Sequence, residues 1–71
     1  MNIARIKELK ESTPFRPFLI RTADGKTWRV PHEDFIWIPY ATTVFVASDD
    51  GVSILDTNLI ASVDVEVVVP T

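Results

Sequence analysis

The only cluster of catalytic residue types in this chain is His32-Glu33-Asp34. A histidine beside acids can hold a metal ion or act as a general base near neutral pH. Consecutive turn residues point in different directions, however, and the chain has no second His and no Cys to complete a metal site. The cluster therefore predicts a solvated polar turn before a strand, with no catalytic, cofactor-binding or metal-binding role.

A second group of acids, Asp49-Asp50-Gly51 followed by Asp56, resembles a calcium loop only in composition. The alternating oxygen ligands and the closing bidentate Glu of such loops are missing. The other glycine, Gly25, also falls in a predicted turn, so neither glycine belongs to a phosphate-binding loop. These residues predict hairpin turns, and the chain is predicted not to be an enzyme and to need no cofactor.

The charges are divided unevenly along the chain. All seven basic residues lie in the first 29 positions, beside three of the ten acids, which gives that part a net charge of +4. The remaining seven acids follow without any Lys or Arg and give −7, so the whole chain carries −3. This balance makes nucleic acid an unexpected partner, since polyanion binding needs a basic surface. It favours basic strands facing acidic strands, within one molecule or between two copies. Within one molecule, pairing of the first strand with the last would place Arg21 beside Asp64 or Glu66.

The spacing of Ile3, Ile6 and Leu9 predicts a short helix from Asn2 to Glu11. Its apolar stripe must dock on other elements, because an isolated helix of this length is not stable. The Pro14–Pro17 stretch is predicted to be an extended connector that leads from the helix to the first strand.

The clearest local signal is the hairpin around Ala23-Asp24-Gly25. A three-residue loop sets Phe18 opposite Val30 and Ile20 opposite Trp28, which gives one apolar face; a two-residue loop would mix core and solvent residues on both faces. The sequence therefore predicts the three-residue loop, a left-handed Gly25 and Trp28 in the core.

Short apolar runs after this hairpin predict further antiparallel strands. The third is Phe35–Ile38, ended by Pro39, although the pattern does not settle which face Trp37 takes. The others are predicted at 43–48, 52–56 and 60–69, and alternating valines mark the last one.

Together these elements predict a single α+β, mostly β domain over residues 1–71. One short N-terminal helix and five or six antiparallel strands can curl into a small SH3-like or Sm-like barrel; an open antiparallel sheet with the helix on one face is the alternative. With no signal-peptide core and no apolar run of membrane-spanning length, a cytoplasmic protein without a membrane partner is expected.

The stretch from Pro14 to Phe35 resembles a group of small bacterial proteins of about this length. Those proteins carry a pattern close to P-F-x-P-F-x-I, then A-D-G, then V-x-H before an aromatic residue; Glu33-Asp34 stands where the group more often has Pro-Glu. The resemblance extends over nearly the whole chain, but it implies no activity and no site residues.

A weaker resemblance, in architecture only, is to Sm-like RNA-binding barrels, which also place a helix before the strands. It implies an alternative function, an RNA-binding oligomer with a basic face built from Lys7, Lys10, Arg21 and Arg29. The chain lacks the second-strand Gly, the base-contacting Asn and the late Arg-Gly pair of that family.

The favoured hypothesis is a small non-enzymatic domain that acts through protein contacts, as a homo-oligomer or with another protein. A domain this small without cysteines often gains burial by pairing with a second copy. The surplus length of the last strand points to Val65, Val67 and Val69 as the self-association surface, because an exposed apolar edge recruits other strands.

Overall fold

The computed structural model describes residues 3–67, which form one helix and six antiparallel strands. The regular elements, in chain order, are α1 (Ile3–Lys10), β1 (Phe18–Thr22), β2 (Thr27–Val30), β3 (Ile36–Tyr40), β4 (Thr43–Ser48), β5 (Gly51–Asp56) and β6 (Ile60–Val65). The predicted α+β, mostly β class is confirmed.

The helix covers the core through Ile6 and Leu9, which are buried, while Ile3 packs at the core's margin. The helix predicted from the spacing of Ile3, Ile6 and Leu9 is confirmed, and it ends at Lys10, before Pro14. In the connector, the Phe15 ring packs against Phe18 with 5.9 Å between centroids, so the connector also contributes to the core.

The β1–β2 hairpin has the predicted register, with Phe18 opposite Val30 and Ile20 opposite Trp28. Gly25 adopts a φ of +88°, as the three-residue loop requires. Trp28 packs against the core but remains only half-buried, so its predicted place in the core is confirmed in part.

The first sheet has the strand order β2-β1-β6, so the first and last strands pair. The last strand is shorter than predicted: β6 ends at Val65, and the final backbone bond joins Glu66 N–H to the Pro17 carbonyl at 3.0 Å. Proline has no N–H to return a bond, which ends the ladder there. The predicted continuation through Val68 and Val69 lies outside the described residues.

The second sheet has the order β3-β4-β5. Its first strand begins one residue later than predicted because Phe35 closes a 3₁₀ turn with His32. It also continues through Pro39 to Tyr40 instead of stopping there. β3 is an edge strand, where a proline is tolerated, and its register shifts between Trp37 and Tyr40.

The predicted SH3-like or Sm-like barrel does not close among the described residues, whose strands form two separate three-stranded sheets; the alternative, an open antiparallel arrangement, is consistent with this topology. The break lies between β2 and β3. Pro31 ends the four-residue β2, and the 3₁₀ turn at Glu33–Phe35 redirects the chain before β3 begins. A barrel would need these two strands to continue one hydrogen-bonded meander.

The core lies between the inner faces of the two sheets and includes Ile6 and Leu9 of α1. Both sheets contribute fully buried side chains, Ile20 from the first and Ile36 from the second. The full set of buried apolar residues is Ile6, Leu9, Phe18, Ile20, Val30, Ile36, Val44, Val46, Leu55 and Ile60. The one helix within residues 3–67 is too short and too polar to cross a lipid bilayer.

Candidate functional site

The outer face of the second sheet carries a row of large apolar side chains. Trp37 on β3 lies directly opposite Phe45 on β4, and Phe45 lies opposite Ile54 on β5. The next pair along the strands is Ala47 opposite Val52. We call these five residues the apolar face.

The local sequence explains why these side chains point outward. Successive strand residues alternate between faces, and their neighbours Val44, Val46 and Leu55 are buried in the core. The apolar face is consequently left to solvent: Trp37 is 46% exposed, Val52 58% and Ile54 69%. Such a contiguous exposed apolar patch is typical of an interaction site.

Only acids flank the apolar face. Asp49 and Asp50 form the β4–β5 turn at one end, and Asp56 ends β5 at the other. Asp56 is also structural, since its carboxylate accepts the Asn58 N–H at 2.8 Å and caps the following 3₁₀ turn. No Lys or Arg occurs after Arg29, so the second sheet carries no positive charge.

The outer face of the first sheet is charged instead. Arg21 donates to Asp64 at 3.0 Å and Arg29 to both carboxylate oxygens of Glu66, at 2.7 and 3.2 Å. The hydrogen bond from Arg29 and its charge hold the pKa of Glu66 below its usual value, and Glu66 in turn raises the pKa of Arg29. The predicted pairing of Arg21 with an acid of the last strand is confirmed.

These ion pairs bear on the basic face of the RNA-binding alternative. Arg21 and Arg29 are each matched by a carboxylate, which removes net positive charge from the sheet. Lys10 donates to the Glu33 carbonyl at 3.2 Å, and Lys7 lies on the exposed side of α1. Ion pairs thus neutralise Arg21 and Arg29, whereas Lys10 contacts a backbone carbonyl and Lys7 is exposed.

Glu33 and Asp34 begin the 3₁₀ turn Glu33–Phe35 that precedes β3, and His32 is its N-cap residue. The His32 ring packs against Phe35 with 6.0 Å between centroids. Among residues 3–67, no three His, Asp or Glu side chains converge in a way that could hold a metal ion.

The three valines predicted to mediate self-association have different positions. Val65 pairs with Phe18 in the first sheet and packs at the margin of the core, so it is used within its own chain. Val67 follows the strand and is 83% exposed. Val69 lies outside the described residues.

A cavity of about 410 Å³ lies between the first hairpin and β5. Its apolar walls include Trp28, Leu55 and Leu59, and Asp24, Lys26 and Asp56 supply charged groups. The Asp24 carboxylate accepts from the Thr22 hydroxyl and from the Lys26 N–H, and the first of these bonds chiefly lowers its pKa. Asp24 therefore stays ionised and fixes the turn beside the cavity.

The sequence interpretation did not identify the apolar face. In Phe35–Ile38 and Thr43–Ala47 both alternating sets of residues are largely apolar, so periodicity could not assign an outer side. A usable signal was present, because one short helix can cover only one sheet face. Two strands apolar on both sides therefore leave an apolar face without a partner.

Comparison with family models, curated proteins and solved structures finds no match to this chain.

Proposed function

We propose that this chain is a small non-enzymatic domain that acts through protein contacts, and that it self-associates by stacking the apolar face on that of a second copy. The observation that carries the proposal is the outward row of Trp37, Phe45 and Ile54 across three adjacent strands. The charged residues of the chain support a non-enzymatic role. Asp24 and Asp56 accept backbone N–H groups in turns. Arg21 and Arg29 form ion pairs with Asp64 and Glu66.

The row is self-complementary when the two-fold axis runs along β4 in the contact plane. That axis sets Trp37 of each copy over Ile54 of the other and places the two Phe45 rings together. A large side chain then meets a smaller one at both edges, as in the packing of two β-sheets. Each copy uses the same surface, which is the geometry of a closed dimer.

The area of the face sets the strength of the contact. Three strands about 4.8 Å apart and six residues long at about 3.4 Å each give a footprint of about 300 Å². Stable interfaces bury about 800 Å² per partner, so we expect a reversible dimer with a micromolar or weaker Kd.

The acids at both ends of the face oppose stacking only weakly. Two unit charges about 10 Å apart in water repel by about 0.4 kcal/mol before screening by salt. Burial of apolar surface contributes about 25 cal/mol per Å², several kcal/mol for this face before the entropy of association is subtracted. Apolar contact therefore dominates, and the acids determine the salt dependence.

Sedimentation velocity over a range of micromolar to millimolar concentrations tests the proposal. Trp37→Ser and Ile54→Ser should remain monomeric at concentrations where the natural chain dimerises, with unchanged urea unfolding midpoints. Val67→Ser is the matched control, an exposed apolar residue off the face. Monomeric natural chain at millimolar concentration would overturn the proposal, and dissociation by Val67→Ser alone would assign the contact to the terminal valines.

A further inference from the structure

The four sheet edges in the described chain differ in how well they are protected against another strand. β2 has only four residues, β3 carries Pro39 and a shifted register, and β6 carries Asp64 and a register shift against β1. β5 has six residues in unbroken register and contains neither Pro nor Lys, with its one charge at the end. It therefore lacks the devices by which proteins block edge pairing.

The backbone of β5 presents hydrogen-bonding groups along this edge. Ser48 and Gly51 lie opposite each other across the two-residue Asp49-Asp50 turn. The residues that close a two-residue hairpin turn form a hydrogen-bonded pair. Pairs alternate along an antiparallel ladder, so Ser53 and Leu55 bond to β4. The N–H and C=O groups of Val52 and Ile54 then point away from β4, toward the free edge.

The cavity of about 410 Å³ runs along the same edge. Four consecutive β5 residues, 53–56, line it, which places both faces of the strand at its wall. Trp28 and Leu59 form apolar surface across from them, and Leu59 is 57% exposed. An extended segment lying there could pair with β5 and direct alternate side chains into the cavity.

The charges at the two ends of the β5 edge determine which kind of extended segment can bind there. Asp49 and Asp50 lie at one end of β5, and Asp24 and Asp56 lie at the other beside Lys26, the one cation of the cavity wall. Both ends of the edge are therefore net negative. A second β5 would bring further acids to these ends, whereas Lys or Arg residues flanking an apolar core would be attracted to them.

We propose that the β5 edge and its cavity bind an extended segment of a partner protein, with alternating apolar side chains flanked by Lys or Arg, as an added strand. The site uses the backbone edge of β5, whereas the apolar face uses outward side chains; Val52 and Ile54 contribute to both, but strand addition does not need Trp37 or dimerisation. The two contacts also respond oppositely to salt: added NaCl should weaken segment binding and strengthen stacking of the apolar face.

Panning a displayed library of random short peptides against the full-length Trp37→Ser variant supplies the probe. We expect enrichment of alternating apolar sequences with flanking basic residues. A synthetic peptide of the enriched sequence should protect the Val52 and Ile54 amides from hydrogen exchange when it binds. No enrichment, or enriched peptides with apolar residues at helical spacing, would overturn the proposal.

The matched variants are Val52→Pro and Val52→Ala. Both remove the same apolar side chain, but only proline removes the edge N–H, and it does so without breaking a bond to β4. We expect Val52→Pro to weaken peptide binding by about tenfold or more and Val52→Ala by only a few-fold.

Methylating the peptide's backbone nitrogens on its β5-facing edge should abolish binding, while methylating the opposite edge should not. Equal binding to both Val52 variants, each with a native circular dichroism spectrum, would overturn the strand-addition model. A concentration-dependent dimer of the Trp37→Ser variant that Val52→Pro removes and Val52→Ala keeps would show that a second β5 occupies the edge instead.

Discussion

The outer face of the first sheet carries Arg21 and Arg29 in ion pairs, whereas the outer face of the second carries Trp37, Phe45 and Ile54. Their inner faces do not differ in this way, since each supplies fully buried apolar side chains to one core. The six large apolar residues that are exposed in the described chain are Trp37, Tyr40, Val52, Ile54, Leu59 and Val67, and none belongs to a strand of the first sheet.

The inner faces therefore stabilise the fold, whereas the outer faces determine what the surface can bind. The outer face of the first sheet carries charged side chains that water solvates, and its arginines form ion pairs within the molecule. The second sheet leaves apolar area exposed that the single helix does not cover.

The largest effect should come from substitutions on the inner faces. Because both sheets pack into one core, equivalent substitutions in the two sheets should destabilise the fold to a similar extent. Ile20 and Ile36 are the same residue type, both fully buried, one from each sheet. Ile20→Ala and Ile36→Ala should each lower the free energy of unfolding by about 2–5 kcal/mol. Urea unfolding measures both, and a variant that loses much less than its counterpart would show that the two sheets do not share one core.

The turns of the two sheets provide the next test. Gly25 and Gly51 have φ values of +88° and +128°, and a Cβ at either would meet no atom within 4 Å. The cost of substitution is therefore conformational alone: about 1–2 kcal/mol for Gly25→Ala and up to about 3 kcal/mol for Gly51→Ala, whose φ lies farther from the left-handed minimum.

Thermal unfolding should rank these two variants in that order. Chemical synthesis with D-alanine supplies the control, because the mirror-image residue accepts positive φ. A D-alanine variant as unstable as its L counterpart would contradict the conformational explanation.

Added salt should strengthen self-association through the apolar face. Raising NaCl from about 0.05 to about 0.5 M shortens the Debye length from more than 10 Å to less than 8 Å. Repulsion between the acids around two stacked apolar faces then falls, so the Kd of self-association should decrease a few-fold. Sedimentation equilibrium measures it, and a Kd that rises with salt would indicate charge attraction between the copies.

The smallest effect should appear in acid. Arg29 lowers the pKa of Glu66 in the folded chain, so their pairing stabilises the fold above the unfolded pKa and is lost as pH falls through the folded pKa. Between about pH 5 and 3 the Tm of the natural chain should therefore fall more than that of Glu66→Gln. Parallel Tm curves for the two chains would assign no net stabilisation to this pair.

Local sequence signals predicted most of the fold. The Ala23-Asp24-Gly25 loop fixed the register of the first hairpin because a slip of one residue would have exposed Ile20. The division of charge along the chain predicted an acidic partner for Arg21, Asp64 or Glu66, and Asp64 on the last strand is the one observed. The first inference needed only neighbouring residues, whereas the second relied on opposite charges that lie 43 positions apart in the chain.

The open arrangement of the two sheets and the apolar face could not be predicted in the same way. Barrel closure depends on the direction of the chain after Pro31, which a 3₁₀ turn changes without any strong sequence signal. The outward side of Trp37 depends on which residues of β3 and β4 face the core, and both alternatives are apolar. Non-local packing decided these features.

The two tryptophans give the molecule two separate optical reporters. Trp28 is half-buried against the core, whereas Trp37 lies on the outer face and would be covered by a second copy. Indole fluorescence shifts to shorter wavelength when water is excluded from the ring. Emission from a Trp37→Phe chain should therefore follow unfolding, and emission from a Trp28→Phe chain should also respond to assembly, without any added dye.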